Sequence, residues 1–114
     1  MTAGASRVAI LDSTDRSRSV RSFSIRNRGR RALLVVGYDG SDGHVVADLP
    51  LADVTAQDDD VRISMGDPRA GRARAHAVWD VDRIGIARIG DRDVALRLEY
   101  EGGRTILLLP RQGT

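Results

Sequence analysis

Hydrophobic and polar positions alternate most regularly towards the C-terminal end of the chain. Val94, Leu96, Leu98 and Tyr100 alternate with Ala95, Arg97 and Glu99, which predicts a strand with one buried face. Gly102-Gly103 follows and offers two residues that tolerate positive φ, as a two-residue type I′ loop requires. Such a loop sets Glu101 against Arg104, Tyr100 against Thr105, Leu98 against Leu107 and Leu96 against Leu109. Pro110 ends the return strand, because it has no N–H to give to a ladder. Leu107 and Leu109 then share the core face with Leu96 and Leu98, while Ile106 and Leu108 share the opposite face with Arg97 and Glu99. Residues 105–109 are therefore apolar on both sides. Either a second layer of the same domain covers Ile106 and Leu108, or Arg97, Glu99, Ile106 and Leu108 form an interface with another molecule.

The remaining elements follow from the same reading. RVAIL at 7–11 predicts a short first strand, and DSTDRSRS at 12–19 a polar, mobile turn. Arg21, Phe23 and Ile25 alternate with serines, which predicts a half-buried strand over 20–26. A turn at Asn27–Arg30 would pair it with the apolar run ALLVVGY at 32–38, with Arg26 opposite Arg31. After the turn at 39–43, HVVADL predicts a strand that Pro50 breaks. LADVTAQ is ambiguous between a strand and a helical turn. Asp58–Asp60 reads as a solvated loop, and Val61, Ile63 and Met65 alternate as another strand.

Residues 67–84 carry two competing patterns. Asp67-Pro68 suits a helix start, and Ala70, Ala73, Ala77, Val81 and Ile84 fit a helical stripe. Ala73, Ala75, Ala77, Trp79 and Val81 also alternate with Arg72, Arg74, His76 and Asp80, and the Val-Trp-Asp-Val run favours a strand. The strand, preceded by a loop, is the expected outcome. RIGIARI at 83–89 gives the next strand. The expected fold is all-β: one antiparallel sandwich or small barrel of about eight or nine short strands, with residues 1–114 as a single domain.

Composition narrows the function classes. The 114 residues contain no cysteine, which excludes disulfides, thiolate metal sites and cysteine nucleophiles. No run approaches a membrane span, and the N-terminal apolar stretch is too short for a signal peptide, so a cytoplasmic location is the expectation. Phe23, Tyr38, Trp79 and Tyr100 are the only aromatics, too few for a surface that stacks bases or sugars.

Charge is unevenly placed. All 18 basic residues are arginine, and the net charge is only +2. Yet residues 1–31 hold eight Arg and two Asp, and residues 32–68 hold one Arg and eight Asp. The two blocks either meet within the fold or serve head-to-tail association. The basic block, with Arg16, Arg18, Arg21, Arg26, Arg28, Arg30 and Arg31, is the candidate nucleic-acid contact.

Catalytic and metal motifs are lacking. His44 and His76 have no ligand spacing between them, no G-x-S-x-G is present, and no glycine loop has phosphate-binding spacing. Asp39–Gly43 lacks the later acidic ligands of a calcium loop. LPLADVTAQ resembles the "PL-x-x-I" strand of bacterial pleckstrin-homology-like domains over nine residues; those domains close with a C-terminal helix, and this chain closes with a strand and RQGT. No cofactor is expected. The expected function is a non-enzymatic β-domain acting by protein–protein contact as a homo-oligomer or with a protein partner. The alternatives are a nucleic-acid module using 16–31, and a small barrel enzyme or ligand carrier with His76, Trp79 and Tyr100 around a pocket.

Overall fold

The computed structural model describes residues 6–10 and 15–111. These residues form eight strands, one α-helix and one short 3-10 turn (Pro68–Ala70): β1 (Ser6–Ile10), α1 (Arg16–Asn27), β2 (Arg31–Tyr38), β3 (His44–Gln57), β4 (Asp60–Asp67), β5 (Arg72–Val78), β6 (Arg83–Ile89), β7 (Arg92–Tyr100) and β8 (Gly103–Leu108). All strand pairs are antiparallel, in the order β1-β6-β7-β8-β2-β3-β4-β5. The all-β expectation holds.

Strand β3 makes the two layers. Its first half pairs with β2, and its second half, from Leu51, pairs with β4. Pro50 was expected to end the strand. It is instead paired with Arg31, and the register shifts between Leu51 and Asp53, so the chain turns a corner there and stays extended. A bulge lets one strand change direction and serve two sheet segments. The inner faces of the two segments enclose one core, with Leu34, Leu51, Val54, Ile63, Met65, Ile84, Leu96, Leu98 and Leu107 buried in it.

The segment expected as a strand over 20–26 is helix α1, and the mobile turn expected over 12–19 is already helical from Arg16; residues 12–14 lie outside the described residues. Arg16, Val20, Phe23, Ser24 and Asn27 are buried, which is one helical face. Ile25, expected beside Phe23, is 55% exposed. The alternation of Arg21, Phe23 and Ile25 misled because the buried stripe holds only two apolar residues. Ser24 and Asn27 reach partners far along the chain. Ser24 Oγ donates to Asp53 Oδ1 at 2.7 Å and accepts from Val54 N at 2.9 Å. Asn27 Nδ2 donates to Phe23 O at 2.8 Å and to Asp93 Oδ2 at 2.7 Å. Gly29, at φ 84°, turns the chain out of the helix, and its N–H donates to Leu51 O at 2.8 Å.

The β7–β8 hairpin has the expected faces and a different register. Leu96 lies opposite Leu107, Leu98 opposite Thr105 and Tyr100 opposite Gly103. The loop is Glu101-Gly102, with only Gly102 at positive φ, the pattern of a type II turn. Gly103 belongs to the strand because β2 runs very close to it. A Cβ there would stand 2.5 Å from Gly37 O and 3.3 Å from Tyr38 Cα. The shift is two residues, so every side chain keeps its face.

Candidate functional site

The basic and acidic blocks meet inside the molecule. Arg16 donates through Nη2 to Asp82 O at 2.6 Å and through Nη1 to Val81 O at 3.2 Å, and it pairs with Asp59 at 3.3 Å. Arg31 grips Asp48 in a two-point contact of 3.0 and 2.8 Å, and Arg28 pairs with Asp53 at 3.5 Å. Arg30 donates to Asn27 Oδ1 and to Asp93 O. Arg18 and Arg21 are exposed on the outer side of α1. The arginines singled out from the sequence therefore do not form one open cationic stripe.

Asp93 is the centre of a buried ionic cluster. Its side chain is 1% exposed and accepts from Arg26 Nε at 2.8 Å, from Arg26 Nη2 at 3.3 Å and from Asn27 Nδ2, with Arg88 Nε 3.1 Å away. Burial alone would raise the Asp93 carboxyl, but the hydrogen bonds from Arg26 and Asn27 and the two guanidinium charges outweigh it and hold it below the ordinary carboxylate value. The cluster binds the C-terminal end of α1 to β7.

The outer face of the large sheet segment is uncovered among the described residues. Cross-strand rows place Arg97, Ile106, Val35 and Val45 side by side, and Ala95, Leu108, Leu33 and Asp48 beside them. Leu108 and Val45 are 39% and 55% exposed, while Ile106, Leu33 and Val35 are half-buried. Helix α1 packs against β3 on the opposite, core side. The rim carries both signs. Glu99 lies 3.4 Å from Arg97 and 3.9 Å from Arg83 at one end, and the Arg31–Asp48 pair closes the other.

A second feature is a cleft of about 240 Å³ at the open end of the two layers. Leu34, Ile63 and Met65 form its floor, and Tyr38, His44, Arg74 and His76 its mouth. Both histidines thus line one cavity, His44 opposite Val36 on β3 and His76 opposite Ile63 on β5. Burial pushes the His76 imidazole below its ordinary value. Arg74 Nη1 donates to Val46 O at 3.0 Å and so bridges the mouth from β5 to β3.

His76, Trp79 and Tyr100 do not line a common cavity. Trp79 is 67% exposed beside the β3–β4 turn, next to Asp58, Asp60 and Arg62. The Tyr100 hydroxyl is 2.8 Å from Thr105 Oγ1 within its own hairpin. The members of the cleft that sequence reasoning passed over are Tyr38 and Arg74. The available signal was the alternation Arg74, His76, Val78 along β5. Among the described residues, no group of three or more metal-ligating side chains is present and no helix is long and apolar enough to cross a membrane. Comparison with family models, with curated proteins and with solved structures returns no match.

Proposed function

We propose that this chain is a non-enzymatic β-domain that works by protein contact, associating with a second copy of itself through the outer face of β7, β8, β2 and β3. The observation that carries the reading is the contiguous apolar strip of Leu33, Val35, Val45, Ile106 and Leu108, which no described residue covers. A two-fold contact is self-complementary when one patch offers what its copy needs. Here each end of the strip has an arginine beside a carboxylate, so either end can meet either end without like charges facing. Four strands spaced about 4.8 Å apart, each about eight residues long, present on the order of 500 Å², or about 1,000 Å² over both copies, the size of a weak and reversible interface. Nucleic acid would favour an open cationic surface instead, and Arg16, Arg26, Arg30 and Arg31 already hold partners within the chain.

Light scattering over a concentration series tests the reading. The wild-type chain is expected to be dimeric at micromolar concentration, and Leu108→Asp monomeric with its circular dichroism unchanged. Leu98→Asp, at a fully buried core position, is expected to unfold the domain, since an unpaired buried charge costs several kcal/mol. A wild-type chain that stays monomeric throughout the series overturns the reading. So does a Leu108→Asp chain that associates as strongly as the wild type.

A further inference from the structure

Strand β5 is built with its polarity reversed. Ala73, Ala75 and Ala77 are exposed on its outer side, while Arg74, His76 and Val78 face β4 residues Met65, Ile63 and Val61, whose side chains are core. Burial alone favours the opposite arrangement, because a one-residue slip would put the alanines inside and the arginine and imidazole in water. The register is held against that slip by Gly66. It sits at φ 84° opposite Ala73, and a Cβ on it would fall 2.0 Å from Arg72 O. Positions where a chain departs from the pattern of burial are where a site is to be sought.

The reversal equips the cleft. Along the inner face of β5, Val78 is core, His76 is half-buried and Arg74 is exposed at the mouth, so the lining passes from apolar to cationic within one strand. Among the described residues, no carboxylate lines the cavity. Arg74 makes one hydrogen bond among the described residues, to Val46 O, which fixes the guanidinium across the opening. A guanidinium has five N–H donors, and the rest of its planar fork suits a two-point contact with a carboxylate. His44, His76 and Tyr38 line the same opening and bring further hydrogen-bonding groups to it. Ligand sites of this kind have an apolar lining and a few convergent polar groups. A cavity of about 150 Å³ takes up benzene, so about 240 Å³ accommodates a body of that size and a carboxylate.

We infer that the cleft between β2–β3 and β4–β5 binds a small organic carboxylate with a compact apolar body, the body on Leu34, Ile63 and Met65 and the anionic group at Arg74, His76 and His44. This site is separate from the outer sheet face and does not depend on self-association.

Titration of the full chain with benzoate and hexanoate, followed by backbone amide chemical shifts, tests the inference. Benzyl alcohol and benzylamine serve as neutral and cationic controls. Either carboxylate is expected to saturate with a Kd below about 1 mM, with shifts concentrated at 34–38, 44–46, 63–65 and 74–76. Arg74→Gln and, separately, His76→Gln are expected to weaken binding at least tenfold and threefold, respectively, with an unchanged amide spectrum elsewhere, and Trp79→Ala to leave binding as it was. The inference is overturned by unsaturable shifts with both acids, by benzyl alcohol binding as tightly as benzoate, or by an Arg74→Gln chain that binds as well as the wild type. Should Arg74→Gln disturb the fold, the benzoate–benzyl alcohol difference measured on the wild-type chain decides alone.

Discussion

Removing the Asp93 carboxylate should be among the most damaging single changes outside the apolar core. Asp93→Ala deletes the acceptor that joins Arg26, Asn27 and Arg88. Breaking a buried ion pair from one side costs about 3–5 kcal/mol, because the partner is left charged and unpaired. Two details place this site at the lower end. The side chains of Arg26 and Arg88 are 41% and 40% exposed and can turn to water, and Asn27 Nδ2 retains its bond to Phe23 O. A loss of about 3 kcal/mol follows, a large share of a typical total of about 5–15 kcal/mol. For a chain of this length it lowers the Tm by roughly 12 °C. Urea unfolding followed by far-ultraviolet circular dichroism measures it; the fluorescence of Trp79 is a poor probe because that side chain is already mostly in water. The pH dependence has a definite sign. The carboxyl of Asp93 is lowered in the fold, so its stabilisation is complete above the unfolded value of about 3.9 and fades as pH falls through the lower folded value. The gap between wild type and Asp93→Asn should therefore be wide at pH 7 and smaller at pH 3. An Asp93→Ala chain within about 1 kcal/mol of wild type, or a gap that is the same at both pH values, refutes the account of the cluster.

Two further expectations concern the helix and the β4–β5 register. Phe23→Ala should cost about 3–5 kcal/mol, as truncation of a fully buried ring does, whereas Ile25→Ala should change stability by less than about 0.5 kcal/mol; chemical denaturation of both distinguishes the helix from a strand in which the two residues share a face. Gly66→Ala should destabilise by more than about 2 kcal/mol, since it combines positive φ with a backbone clash, and Gly71→Ala, at φ 70° with open space around it, by about 1 kcal/mol. Thermal melts of the pair would show equal losses if the close approach of Gly66 to Arg72 did not matter.

Most of the sheet is legible in the sequence because its strands alternate on a half-buried surface. β4, β6, β7 and β8 can each be read from their own residues. The helix cannot, because three of its five buried positions are Arg16, Ser24 and Asn27, and each is tolerable only beside a partner far along the chain. The hairpin register needed information about β2, whose Gly37 lies against Gly103. The cleft was hidden for a related reason. His44 and His76 share it because β3 turns a corner at Leu51, and no local spacing encodes that turn. On β5 the alternation itself was visible, while its sense was not, since burial would place the alanines inward. The uncovered face was the most readable feature. Its residues follow from alternation alone, and a two-residue error in register leaves them where they are.

The order of strands gives β8 a role in time as well as in space. Without it the sheet would be two unconnected pieces, β1-β6-β7 and β2-β3-β4-β5, because β8 alone joins β7 to β2. Strand β2 thus waits for almost the whole chain before one of its edges is satisfied, and pairing between such distant segments is slow. Until then two open edges and the core they border are exposed to mispairing. Ile106 and Leu108 lie on this late-closing seam. A second molecule bound over them would grip both pieces at once and would select the closed state over the open one. The concentration of the protein would then set how often the seam opens.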